Sequence, residues 1–412
     1  MKARTTLLVL SALGLVAACS SKATDVTPDA KTVAPTVSES PTIHFDMAVT
    51  VPAGGEIHKC KYVRAPDAES YVVTMAHEYS PGSHHLLVFR TDKDKLQPGE
   101  DATVDCNEGA LSPMKHVRGI LYGSQEAKQS GTLPQGIGLY LKPNEVLLVQ
   151  AHYLNATAKP IDAKIAVDFK TAPADTIAHR AGVLFFYDPF IYVPARATAS
   201  ASMRCVIPND IKLLSGFSHT HKRGSTFAAF MDEKSDVLAE KPFYTSKDWE
   251  HPEGLAAPID VKAGSRIRFN CNYDNTKNDR EFYQGQSAED NEMCLFSGIY
   301  YPEMGLQTNL CMTGFDRIGV GTATCAEALK CAQSCPPGTS SGNAQLGAVG
   351  NCLQKCVATS CPTATTPLIA QFQCVQKSCK DACATPGAAA CTTCVTEKCP
   401  QETGACASHT CP

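Results

Sequence analysis

The chain's 412 residues include 37 Lys and Arg against 41 Asp and Glu, a formal net charge of -4, so no basic field is available to hold a nucleic-acid backbone. The length exceeds what one hydrophobic core usually serves and points to two or three domains. Twenty-one cysteines are too many to persist as free thiols in a reducing compartment, which argues for an oxidising one.

At the N-terminus, Lys2 and Arg4 lead into an apolar run from Thr5 to Ala18 that is too short to span a bilayer. The run ends Val16-Ala17-Ala18-Cys19 and resembles the signal of a bacterial lipoprotein. Residues 1–18 are expected to be a signal peptide, with Cys19 lipidated. Residues 19–42, rich in Ser, Thr, Pro and Ala, bury too little apolar surface to fold and read as a tether. The expected address is the bacterial cell envelope, on the outer membrane, facing either the periplasm or the outside. The membrane is then a partner through the N-terminal anchor.

Beyond the tether, short apolar segments alternate with Pro, Gly and Asp clusters. Tyr71–Ala76, His85–Phe89, Ile137–Leu141 and Val146–Leu154 are predicted strands, followed by Gly182–Phe186, Ala199–Val206, Ser225–Phe230, Ile267–Asn272 and Leu295–Tyr301. This spacing predicts an all-β architecture of two sandwiches, over residues 43–175 and 176–320, joined near Lys170 to Thr176. Fourteen cysteines crowd residues 321–412 at spacings of three and four, as in Cys331-x3-Cys335 and Cys374-x4-Cys379. Such spacings set sulfurs on one side of a helix, predicting a small helical module pinned by seven disulfides in place of a large core. Whether it docks on the sandwiches or projects away stays open.

Histidines carry the chemistry. His84 and His85 are adjacent, and neighbours on a regular strand face opposite ways, so both reach one metal only at a strand end or bulge. The preceding Pro81 and Gly82 supply an irregular entry. His152 offers a third imidazole, with Gln150 on the same strand face, and three neutral imidazoles suit copper or zinc. His219-Thr220-His221 projects two rings from one face, and the thioether of Met293 is a soft ligand that favours Cu(I). Glu289, Asp290 and Glu292 read as a solvated acidic loop.

These groups, with Asn291-Glu292-Met293-Cys294 running to Tyr300-Tyr301, resemble the ascorbate-dependent type II copper monooxygenases across roughly residues 43–315. The resemblance implies two jelly-roll domains with two copper ions per chain. His84, His85 and His152 would hold the electron-transfer copper, while His219, His221 and Met293 would hold the catalytic, oxygen-binding copper. It also implies the disulfides Cys60–Cys106, Cys205–Cys311 and Cys271–Cys294. The co-substrates implied are O2 and an electron donor, ascorbate or an equivalent reductant. A small-molecule substrate would be hydroxylated at an aliphatic C–H bond, the second electron crossing the space between domains. Family members that act on peptides grip a carboxylate with an arginine where this chain has Phe217, and Leu295 and Ser297 replace two further polar residues. Those changes suggest a more apolar pocket, to which Gln150, Tyr300 and His58 would add pocket or supporting groups. The alternative is a copper-binding or copper-handling lipoprotein without turnover.

Overall fold

The computed structural model describes residues 41–107, 112–233, 237–305, 309–311, 316–335, 350–383 and 388–412. The expected signal peptide, Cys19 and nearly all of the tether lie outside the described residues.

The first sandwich places a five-stranded antiparallel sheet over one wing of a larger sheet. In the five-stranded sheet the order is Val104–Asp105, Glu56–Arg64, Val146–Leu154, Ser83–Thr91 and Val117–Ser124. The larger sheet contributes Thr42–Val51, Ile161–Ala172, Ser70–Tyr79 and Ile137–Leu141 to this half. Alternation decides the core: Met47, Val88, Ile165 and Val167 point inward and are almost wholly buried.

The second half uses the same large sheet. Its strands His179–Tyr187, Cys294–Tyr301, Ile211–Leu213 and Ile259–Val261 continue the order, and Phe217–Thr220 pairs with Cys294–Tyr301. Against this wing packs a four-stranded sheet of Thr198–Val206, Arg266–Asp274, Gly224–Asp232 and Tyr244–Ser246. Phe186, Phe269 and Phe296 fill the space between.

Two sandwiches are present, and they share a sheet rather than being strung on a linker. His179 to Ala181 pairs in parallel with Ile137 to Leu139, which splices the wings together. The joint expected near Lys170 to Thr176 is correspondingly short, since the strand runs to Ala172 before a single 3-10 turn at Ala174–Thr176. This splice turns the outer face of the five-stranded sheet against the outer face of the second wing. Val146–Leu154 is therefore buried on both faces along nearly its whole length, which explains why its sequence is apolar on both faces apart from Gln150 and His152 rather than alternating. Likewise His179–Tyr187 divides its faces, Val183 and Phe185 joining the first core, Leu184 and Phe186 the second.

Among the described residues the C-terminal module has five short helices, Cys325–Gln333, Asn351–Ala358, Thr365–Ser378, Ala389–Lys398 and Pro400–Ala407. Seven disulfides close within it. Helices of this length are marginal alone, and the cross-links supply the constraint. The module docks on the second sandwich: Val357 and Leu368 join its core, the buried Gln354 accepts from the Gln284 backbone at 2.7 Å, and Lys355 pairs with Glu281.

Candidate metal centre

A bulge sets the first histidines. Ser83–Thr91 pairs with Val146–Leu154, with Ser83 opposite Tyr153 and His85 opposite His152, so His84 is the extra residue where the register slips. Gly82, at φ +92°, makes the entry that only glycine adopts easily. The bulge brings both neighbouring rings to one side, their centroids 5.0 Å apart. On the next strand His58 lies opposite His152 and stacks on its ring at 3.8 Å.

The second group rides on the other wing. Phe217 pairs with Ser297, His219 with Leu295 and Thr220 with Cys294. One step further along both strands stand His221 and Met293. Cys294 is held by its disulfide to Cys271, and the Tyr273 hydroxyl donates to the Met293 carbonyl at 2.8 Å, so the backbone carrying the thioether is fixed from two directions. The bonds Cys60–Cys106 and Cys205–Cys311 are also closed.

The two groups meet. Ring centroids lie 5.0 Å apart for His84 and His219, 5.4 Å for His84 and His221, and 5.3 Å for His85 and His219. Ligating nitrogens of His84, His85 and His152 all lie within 4.8 Å of one another, and so do those of His84, His219 and His221. Five imidazoles thus form one cluster where the sandwiches abut.

In three of the rings hydrogen bonding leaves one nitrogen for a ligand. His152 bonds Glu56 through Nε2 at 2.7 Å, His219 bonds the Gln125 side-chain oxygen through Nδ1 at 2.9 Å, and His221 bonds the Asn291 carbonyl through Nδ1 at 3.2 Å. Each such bond fixes a tautomer and frees the opposite lone pair. Those free nitrogens, Nδ1 of His152, Nε2 of His219 and Nε2 of His221, together with Nε2 of His84 and Nδ1 of His85, are buried without a hydrogen-bond partner among the described residues. Five unsatisfied acceptors in one spot would cost roughly 1–3 kcal/mol each. A metal ion satisfies them together, and imidazoles beside a thioether are a donor set suited to copper.

Burial, reinforced by neighbouring imidazoles, pushes all five well below the ordinary 6.5. They are neutral and ready to ligate at neutral pH. In the unfolded chain each takes up a proton as pH falls through 6.5, whereas the folded chain resists, so the unfolded state binds more protons there and stability rises with pH. The copper-free protein is expected to lose thermal stability as pH falls below 6.5, and the copper-loaded protein, whose ligating rings cannot take up protons either, to lose it at least as steeply from a higher midpoint. Calorimetry across a pH series checks this; a copper-free midpoint that does not fall below pH 6.5 would contradict it.

Several supporting residues were not legible in the sequence. Glu56 bonds His152 and also accepts from Ser287 Oγ and the Ala288 amide, tying the first sandwich to the loop before Met293. Its place two residues before His58, on the same strand face, was the available signal. Gln125 orients His219 and donates to the Trp249 carbonyl at 3.0 Å, and the Trp249 ring lies 5.6 Å from His84. Glu292 corrects the solvated-loop reading: it is fully buried, paired with Arg223, and accepts from the His221 and Arg223 amides. Burial pushes its carboxyl up to about 7, against the pull of Arg223. Glu289 and Asp290 are exposed and pair with Lys222 and Arg280.

A cavity of about 290 Å³ opens from this cluster between the two outer faces, bordered by His85, His219 and Met293. His58, Gln150, Phe217, Leu295 and Ser297 also line it. Tyr300 does not, because its place on the strand gives it the opposite face; it sits in the second core with its hydroxyl bonded to Asn309.

Residues 180–320 match the family model of the copper type II ascorbate-dependent monooxygenase, C-terminal domain. Among solved structures the chain is similar to A223, a turret protein in Sulfolobus turreted icosahedral virus, at 10% identity over 63% of this chain and 97% of that one, with a TM-score of 0.13. A chain in the atomic structure of the same virus is similar at 9% identity, over 64% of this chain and 94% of that one, with a TM-score of 0.14. Scores this low add nothing to the architecture described above.

Proposed function

We propose, for a chain that belongs over residues 180–320 to the copper type II ascorbate-dependent monooxygenases, that it hydroxylates an aliphatic C–H bond of an apolar small molecule. One oxygen atom of O2 enters the product as hydroxyl and the other leaves as water, with two electrons and two protons from ascorbate or another one-electron donor. Copper, when bound, supplies the one-electron redox chemistry and the activation of O2.

The observation that carries this reading is the convergence of five unsatisfied imidazole nitrogens in a buried cluster that borders an apolar cavity. His84, His85 and His152 are assigned to one copper and His219, His221 and Met293 to the second. Glu56 and Gln125 lock ring orientation, and the loss of such outer partners costs roughly 10–100-fold in metal affinity. Phe217 and Leu295 wall the cavity beside His219 and exclude water, so substrate is positioned by shape rather than by a charged anchor. Ten disulfides occupy twenty of the twenty-one cysteines. Only Cys19 is left over, which supports its assignment as the lipid-bearing residue of an envelope protein.

Elemental analysis of copper in the loaded, desalted protein tests the assignment, with Met293→Ala in parallel. Two ions in the parent, one weakened in the variant, and ascorbate-dependent oxygen uptake lost in the variant are expected. One ion or none in the parent would overturn the two-copper reading.

A further inference from the structure

The five imidazoles are not equally enclosed. His152 and His221 are fully buried, His85 and His219 border the cavity, and His84, the most exposed of the five at 8%, is not part of the cavity wall. His84 therefore meets solvent on a different side. There it lies beside Trp249, the only tryptophan of the chain, with ring centroids 5.6 Å apart.

Trp249 is half-buried on the loop between Tyr244–Ser246 and Ile259–Val261. The Tyr244 hydroxyl pins this segment beyond the indole by donating to the Glu253 carbonyl at 2.6 Å, and Asp248 turns it by accepting the amides of Glu250 and His251. Among the described residues, one side chain fastens it to the first sandwich by hydrogen bonds: Gln125 Nε2 donates to the carbonyls of Trp249 and Glu250 at 3.0 and 3.3 Å. Charge here is mostly negative. Glu126 faces His251 at 3.6 Å, whereas Asp248, Glu250 and Glu253 are exposed with no ion-pair partner among the described residues, against the single exposed Lys247. The cavity is the poorer approach for a hydrated cation, because Leu87, Phe89, Ile120, Phe185 and Leu295 in its wall cannot replace the water an ion would shed.

Resting on the reading of the histidines as a copper centre, we propose that copper enters at Trp249. The carboxylates of this loop collect the hydrated cation, the indole covers His84, and the unpartnered Nε2 of His84 is the first nitrogen the ion meets. Metal and substrate then have separate approaches. Since Gln125 also holds His219 Nδ1 at 2.9 Å, the side chain that fastens the entry loop orients a ligand of the second set as well.

Mixing the copper-free full chain with Cu(II) in a stopped-flow fluorimeter tests the inference, because a cupric ion this near the only indole quenches its emission. Glu250→Gln combined with Glu253→Gln is expected to slow uptake roughly tenfold at low salt, the scale on which charge of one sign raises on-rates, and to remove most of the salt dependence. The final copper content is expected to match the parent. Trp249→Ala is expected to speed copper loss to a coloured chelator by roughly tenfold, the lower end of what an outer partner of a metal ligand contributes. Trp249→Phe, which keeps a ring over His84, is expected to restore the parent rate. Uptake indifferent to the two carboxylates and to salt, or copper loss unchanged in Trp249→Ala, overturns the inference even if the protein turns over. Conversely, copper uptake and loss that follow these expectations, without ascorbate-dependent oxygen uptake by the loaded protein, leave the entry route standing and remove the monooxygenase reading.

Discussion

Glu292→Ala is expected to lower stability by about 3–5 kcal/mol, the cost of breaking a buried ion pair by removing one partner. The carboxylate is fully buried and its Arg223 partner nearly so. Its removal strands the guanidinium, which stacks 3.9 Å over Phe282 and also donates to the carbonyls of Ala288, Glu289 and Asn291. It also leaves the amides of His221 and Arg223 without their acceptor. Because Glu292 adjoins Met293 and holds the His221 backbone, the variant should lose copper from the second ligand set as well. Urea unfolding with the disulfides intact measures the first effect and elemental analysis the second. Glu289→Ala serves as the comparison: its pair with Lys222 is exposed, and such pairs contribute about 0–1 kcal/mol. Equal midpoints for the two variants would show that the Glu292 pair does not organise this loop.

Much of the scaffold was readable because strand alternation is a local property. Val146–Leu154 was predicted with its observed limits, and the adjacency of His84 and His85 after Gly82 demanded the irregularity that the register slip provides. The period-two spacing of His219 and His221 likewise put both rings on one face. What alternation cannot say is which outer faces abut. The parallel pairing of His179–Ala181 with Ile137–Leu139 joins segments about forty residues apart, and no residue pattern in either announces it. That splice alone decides that the two histidine groups share one cluster, and it brings Glu56 to the Ser287 loop and Gln125 to His219. Glu292 was misread for a related reason. Its neighbours Glu289 and Asp290 are solvated, and only the buried partner Arg223, sixty-nine residues earlier in sequence, separates it from them.

His84 supplies the sharpest contrast between the sequence and the assembled site, because sequence order assigns it to the first ligand set alone. On that basis His84→Ala and His152→Ala should have the same effect, each releasing one copper. In the structure His84 stands with His85 and His152 in one three-histidine group and with His219 and His221 in another, and its ring is about as near to His219 as to His85. The lone pair at its Nε2 is the one unsatisfied atom that both groups share. Removing it opens a void between the sandwiches where the histidines of each wing are otherwise held against the other. His84→Ala is therefore expected to weaken both coppers, at least by the ~10–100-fold that loss of an outer partner costs, while His152→Ala weakens one. Copper per chain after desalting, with the Cu(II) resonance spectrum recorded on the same samples, distinguishes the cases. A perturbed signal from both sites in His84→Ala would show that the two ligand sets act as one centre. Loss of one copper with the other signal unchanged would mean that they are independent in solution and that the apposition of the rings has no energetic consequence for metal binding.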